Sequence, residues 1–135
     1  MTLQGYLARL VDTLHSRHDI VLDDVRLTLT TMGAIFQADV RFYDDSRLFV
    51  VEEVEQTSVR DTTRTTYKFH YQRADGTLVF RYDDSPHHPY LPHFPHHKHT
   101  YSSVIGIEAP DLTDILREVD ALIYASPDAG IGSPE

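Results

Sequence analysis

Histidine and proline are concentrated in one short stretch of this 135-residue chain. Residues 86–99, called here the His/Pro segment, contain six of the nine histidines and four of the seven prolines. An imidazole accepts or donates a proton near neutral pH and also binds transition metals. The segment is therefore the first candidate for chemistry, by acid–base catalysis or by metal binding. The remaining alternative is a rigid strap over a sheet edge with solvated histidines.

The prolines recur every three residues, at Pro86, Pro89, Pro92 and Pro95. Polyproline II has three residues per turn, so this spacing predicts an extended segment with all four prolines along one edge. Each residue before a proline is also biased away from the helical region, which favours the same conformation.

An extended segment argues against a metal site. At a rise of about 3.1 Å per residue, His87 and His93 would be roughly 19 Å apart, whereas zinc needs its ligands about 2 Å from the ion. A bend after Pro95 would still allow a metal site, because it would bring the last histidines of the segment toward Asp83 or His70. The sequence therefore predicts no metal and no cofactor.

Histidines can act on RNA without a metal. One imidazole accepts the proton of a ribose 2′-hydroxyl, and a second, protonated imidazole donates to the leaving 5′-oxygen. A Lys or Arg side chain then stabilises the charge of the phosphorane. His96, His97, Lys98 and His99 supply both kinds of group, although composition alone leaves structural and metal-binding roles open.

Charge and composition restrict the function further. The net charge of −9 argues against a general nucleic-acid binder. Residues 60–99, however, hold six Lys and Arg against four Asp, together with seven histidines, which predicts a mildly cationic region unless exposed charge is merely scattered unevenly. Cysteine is absent, so disulfides, thiolate metal sites and Cys nucleophiles are excluded. With neither a long apolar run nor a signal-peptide pattern, we expect a soluble, cytoplasmic protein that is not associated with a membrane.

The hydrophobic pattern predicts the elements that position the segment. Apolar residues at three- and four-residue intervals predict a helix over residues 3–16 and another from Asp111, its cap, to about Tyr124. Between them, alternating apolar and polar residues predict strands at 25–30, 36–42 and 47–57. Leu48 to Val51, if they form an edge strand, would suggest a homodimer.

A hairpin follows around Asp75-Gly76. A two-residue type I′ turn there pairs Tyr71 with Phe80 and Phe69 with Tyr82, so aromatic residues oppose each other. The other face then displays four polar residues, which ordinary cross-strand pairing on a solvated face also explains: Lys68, His70, Arg81 and Asp83.

The predicted fold is α+β, with an antiparallel sheet of about five strands flanked by an N-terminal and a C-terminal helix. We expect one domain over residues 1–126 and a flexible tail over 127–135.

Two motifs resemble the signature of the TumE family, the toxin components of type II toxin–antitoxin systems. The first is Arg81-Tyr82-Asp83-Asp84-Ser85-Pro86-His87-His88-Pro89, and the second is Phe94-Pro95-His96-His97-Lys98-His99. Residues 67–72 and Asp75-Gly76 resemble the preceding hairpin of that family. The chain departs from the pattern at Asp84, where members more typically have asparagine.

The resemblance implies a growth-inhibiting toxin that is paired with a DNA-binding antitoxin and acts on RNA. It makes motif residues the catalytic candidates: Arg81, Asp83, His87, His88, His96, His97, Lys98 and His99. The reasoning from the residues adds four RNA-binding candidates: Lys68, His70, Tyr90 and Phe94. A noncatalytic protein-binding module and a His/Asp metal-dependent hydrolase remain alternatives.

Overall fold

The computed structural model describes residues 1–124 and contains two helices and seven strands. In chain order these are α1 (Leu3–His15), β1 (Ile20–Leu29), β2 (Gly33–Phe42), β3 (Arg47–Ser58), β4 (Asp61–Gln72), β5 (Leu78–Asp83), β6 (His97–Thr100), β7 (Val104–Gly106) and α2 (Leu112–Ile123). The predicted tail over residues 127–135 lies outside the described residues.

The strands form a single antiparallel sheet in sequential order from β1 to β7. Both helices pack on one face of it, because each has a single apolar stripe that needs covering. The core lies between these layers and includes Leu10 and Leu14 of α1, Ile115 and Val119 of α2, and alternate residues of the central strands. We call the covered side the helix face and the other side the open face.

Caps fix the start of each helix. The Thr2 side chain accepts a hydrogen bond from the Gly5 amide at α1, and Asp111 and Asp114 form a reciprocal capping box at α2.

The predicted α+β class, both helices and the antiparallel sheet are confirmed. No helix within residues 1–124 is long and apolar enough to cross a membrane.

The prediction of about five strands is wrong, because β6 and β7 extend the sheet. β6 begins inside the His/Pro segment and pairs with β5, and a turn at Tyr101-Ser102 leads into β7. No proline follows Pro95 in the segment, so the backbone N–H groups of β6 are free to pair. The three-residue spacing of the prolines concealed this strand.

The predicted hairpin register is confirmed, but the predicted turn is wrong. Tyr71 pairs with Phe80 and Phe69 with Tyr82. Gly76 has a positive φ of 89° whereas Asp75 does not, so the turn is not type I′. Instead Arg73 bonds with Thr77 around a three-residue loop, and a bulge beside Gln72 and Leu78 restores the register.

The predicted polyproline II conformation is also wrong. Residues 84–96, called here the β5–β6 loop, fold into successive turns closed by bonds such as Leu91 N to His88 O, at 3.1 Å, and His96 N to His93 O, at 2.9 Å. Polyproline II contains no such internal bonds. His93 has a left-handed φ of 63°, which ends any extended run.

β3 is not an edge strand, since it lies between β2 and β4. Leu48 and Val50 are buried in the core rather than marking a dimer surface. The edges of the described sheet are β1 and β7, and a homodimer stays a prediction.

Candidate functional site

Strand alternation brings the polar residues of β4, β5 and β6 together on the open face. Two cross-strand rows run through them, one of Lys68, Asp83 and His97 and the other of His70, Arg81 and His99. Because side chains alternate along a strand, the residues between them, such as Tyr82 and Lys98, point to the helix face. The site is therefore assembled by neighbouring strands rather than by the His/Pro segment alone.

Three imidazoles form a cluster on this face. The ring centroid of His97 lies 4.8 Å from that of His99 and 5.0 Å from that of His88, and His88 and His99 are 5.8 Å apart. One ring nitrogen from each lies within 4.8 Å of those of the other two. We call His88, His97 and His99 the imidazole cluster.

His97 is the anchored member of the cluster. It is only 2% exposed, with Nε2 3.0 Å from Asp83 Oδ1 and Nδ1 2.9 Å from the Pro95 carbonyl oxygen. Asp83 also accepts a bond from the Ser85 amide, at 2.9 Å. The ring is held in one orientation.

His88 and His99 are half-buried at the edge of the same cluster. Burial lowers the pKa of His99, and the Arg81 guanidinium beside it lowers that pKa further. Burial likewise lowers the pKa of His70, whose Nε2 lies 3.1 Å from Gln72 Oε1. The Arg81 guanidinium stays partly exposed, with its Nε 3.2 Å from Asp83 Oδ2.

Two of the sequence candidates lie on the helix face instead. His96 Nδ1 is 2.9 Å from the Tyr67 hydroxyl, and the two rings stack. Lys98 donates to Glu118 of α2 at 2.7 Å. The structure therefore separates His96 and Lys98 from the imidazole cluster, although all are close in sequence.

The other candidates are exposed, and one of them contacts the cluster. Tyr90 is 76% exposed, and its hydroxyl lies 2.9 Å from His88 Nδ1. Phe94 is 44% exposed, and His87 and Lys68 are exposed as well. Two aromatic side chains, Tyr90 and Phe94, and the cationic side chain of Lys68 are thus accessible to solvent.

A comparison with known families bears on this arrangement. Residues 7–125 match the model of the family described as Toxin TumE. The chain belongs to the TumE toxin family. No curated protein and no solved structure matches it. Membership identifies the chain as a toxin and, as for such toxins in general, implies an antitoxin partner.

Asp84, where the sequence departs from the motif that it resembles, has a structural role. Asp84 Oδ1 accepts hydrogen bonds from Thr66 Oγ1, at 2.6 Å, and from the Tyr67 amide, at 3.3 Å. The oxygen of an asparagine amide is an acceptor too. The side-chain oxygen at position 84 fixes the start of the β5–β6 loop, and both aspartate and asparagine supply such an oxygen.

Reasoning from the sequence missed a second polar cluster in this TumE toxin, under the helices. Glu52 is 1% exposed and accepts from the Tyr6 hydroxyl at 2.5 Å, with Arg64 3.5 Å away. Burial raises the pKa of Glu52. The signal was present, because Glu52 falls in phase with Leu48, Val50 and Val54 on the buried side of β3.

Proposed function

We propose that this toxin acts on RNA through the open face, with the imidazole cluster as its reactive centre and no metal in the reaction. The observation that carries the proposal is the imidazole cluster beside the Arg81 guanidinium. Nitrogens within 4.8 Å of one another are close enough to contact two oxygens of the same phosphate group. Proton transfer and charge stabilisation, which RNA cleavage requires, are thus both available.

In the proposed reaction His99 accepts the proton of a ribose 2′-hydroxyl. The 2′-oxygen attacks the adjacent phosphorus, and the bond from phosphorus to the 5′-oxygen breaks as His88 donates a proton to the leaving oxygen. Arg81 stabilises the negative charge of the phosphorane. His97, held by Asp83, positions the other two rings.

RNA binding is proposed for the surfaces that border the imidazole cluster. Tyr90 and Phe94 are exposed aromatic side chains suited to stacking on unpaired bases. Lys68 and His70 lie in the cross-strand rows that end at His97 and His99, where a phosphate backbone would pass. The acidic remainder of the molecule restricts favourable contact to this region.

We also propose that the antitoxin is a DNA-binding protein that covers this same face. The toxin and its antitoxin would meet in the cytoplasm. A toxin whose reactive groups lie on an open sheet face is inhibited most directly by a partner that excludes RNA from that face. The contact would be mainly polar, since Lys68 and Arg81 line this face.

The test is induced expression of the wild type and of His99→Ala and His88→Ala variants, with growth and total RNA followed together. His93→Asn is the matched control, because His93 is exposed in the same loop and asparagine tolerates its left-handed φ. We expect growth arrest and RNA loss with the wild type and the control, and neither with the two cluster variants. Circular dichroism checks that each variant folds.

Growth arrest with intact RNA in every variant would overturn the proposal and favour a noncatalytic toxin that binds a protein. Equal activity of wild type and His99→Ala would remove His99 as the base.

A further inference from the structure

We propose that His88, His97 and His99 bind one divalent transition-metal cation of the zinc class. One ring nitrogen from each of the three lies within 4.8 Å of those of the other two. Ligands of a tetrahedral zinc ion, each about 2.0–2.1 Å from the metal, are roughly 3.3 Å apart. Small side-chain movements therefore suffice to close the three rings around a cation.

The backbone positions two of the ligands without help from the loop. His97 and His99 are separated by one residue on β6, so both side chains leave the same face of the sheet. His88 comes from the β5–β6 loop. A cation would thus tie the loop to the sheet, with two ligands on a rigid strand and the third on the segment it fastens.

The groups behind the rings match those that support metal-binding histidines. The Tyr90 hydroxyl engages Nδ1 of His88, which leaves Nε2 of that ring for a cation. His97 has Asp83 at one nitrogen and the Pro95 carbonyl at the other. A cation bound to either nitrogen would replace the hydrogen bond of that nitrogen, while the other nitrogen keeps its acceptor, and such outer partners orient ligating imidazoles in known sites.

The donor set indicates the class of cation. Three imidazoles suit zinc, cobalt, nickel or copper, whereas magnesium and calcium prefer oxygen ligands. Arg81 would repel a cation, but its Nε lies 3.2 Å from Asp83 Oδ2, so the carboxylate offsets that charge. Three protein ligands leave a fourth position for water or for an Asp83 oxygen.

A bound cation would inhibit the proposed RNA chemistry; this consequence rests on the proposed function, whereas the binding itself does not. A metal takes the lone pair that each imidazole needs to accept a proton. The metal-bound and catalytic states are therefore mutually exclusive, and metal release would activate the toxin.

Binding is tested with the purified full chain after removal of metals by chelation and dialysis. Titration with Co²⁺, followed by visible absorption, and with Zn²⁺, followed by calorimetry, is expected to give one ion per chain. His88→Ala and His99→Ala should each weaken binding at least about tenfold, since even outer-partner changes cost 10–100-fold. These two positions are chosen because removal of the buried His97 risks unfolding.

His93→Asn is again the control, as it removes an exposed imidazole of the same loop. Failure of the wild type to bind either ion would overturn the proposal. So would an equal loss of affinity in His93→Asn, which would indicate scattered surface histidines.

The inhibitory consequence has its own readout, RNA cleavage by the metal-free and the Zn²⁺-loaded protein. Cleavage only by the metal-free form supports it. Cleavage only by the Zn²⁺-loaded form overturns both the inhibition by metal and the metal-free mechanism, but it leaves the proposed metal site unaffected. Binding without cleavage in either form defeats the proposed function but leaves the metal site in place.

Discussion

At the scale of single residues, Asp84 shows how a departure from the family signature can preserve a structural role. Its Oδ1 holds the Thr66 hydroxyl and the Tyr67 amide, and both bonds need only an acceptor. Asp84→Asn should therefore change the free energy of unfolding by less than about 0.5 kcal/mol, whereas Asp84→Ala should cost about 1–2 kcal/mol by leaving both donors unpaired. Urea denaturation of the two variants measures the difference.

Equal destabilisation by Asn and Ala would mean that the charge of Asp84, rather than its oxygen, holds the β5–β6 loop. In that case the departure from the signature would matter for function as well.

The sequence identified the histidines but not which of them lie close together. His96, His97 and His99 lie within four residues, and without a strand assignment nothing separates their directions. Once β6 is known, alternation sends His97 and His99 to the open face and His96 to Tyr67 on the helix face. His88 joins them through loop turns that no spacing rule predicts.

At the scale of elements, the β5–β6 loop depends on a glycine in β7. A Cβ added to Gly106 would lie 2.0 Å from the Pro92 carbonyl oxygen, far inside van der Waals contact. Gly106→Ala must therefore displace the loop or β7 at this contact, and we expect the loop to move and to carry His88 away from His97 and His99. We expect a loss of about 1–3 kcal/mol in unfolding free energy and weaker Co²⁺ binding.

The displacement is checked by the NMR signals of the imidazole rings. Those of His88 should shift strongly in Gly106→Ala, while those of His70, which lies on β4, should serve as an internal reference. Unchanged His88 signals with unchanged stability would show that the loop adapts without moving the site.

Predictability at this scale differs between hairpins. Aromatic residues on one face of β4 and β5 determined their register, and it held even though the turn differed, because a bulge absorbed the extra loop residue. For β6 and β7 the sequence offered only four and three residues, too few for a period-two pattern beside a regular run of prolines.

At the scale of the whole molecule, the two faces of the sheet differ in character, since one is apolar and buried and the other carries polar residues. The helix face buries the apolar core and the Glu52 cluster. The open face is left to polar rows that carry the proposed chemistry. Changes at the partly exposed residues of this face, such as Arg81 and His99, can therefore alter function with less cost to stability than changes at the buried His97.

One ion-pair network links three parts of the chain on the helix side. Arg17, just after α1, contacts Asp19 before β1 at 2.8 Å and Asp120 of α2 at 2.6 Å. The hydrogen bond from Arg17 holds the pKa of Asp19 well below its usual range. A carboxyl whose pKa falls on folding stabilises the folded state above its unfolded pKa, about 3.9, and that contribution is lost as the pH drops through the folded value.

Asp19→Asn should therefore lower the unfolding free energy at pH 7 by about 1 kcal/mol, a magnitude suited to a partly exposed pair. The difference from wild type should shrink as the pH falls below about 4. Asp12→Asn, an exposed change on α1, is the matched control and should show neither effect. Denaturant unfolding from pH 7 down to pH 3 provides the measurement. A constant difference between wild type and Asp19→Asn over that range would mean that the charge of the Asp19 carboxylate contributes nothing to stability.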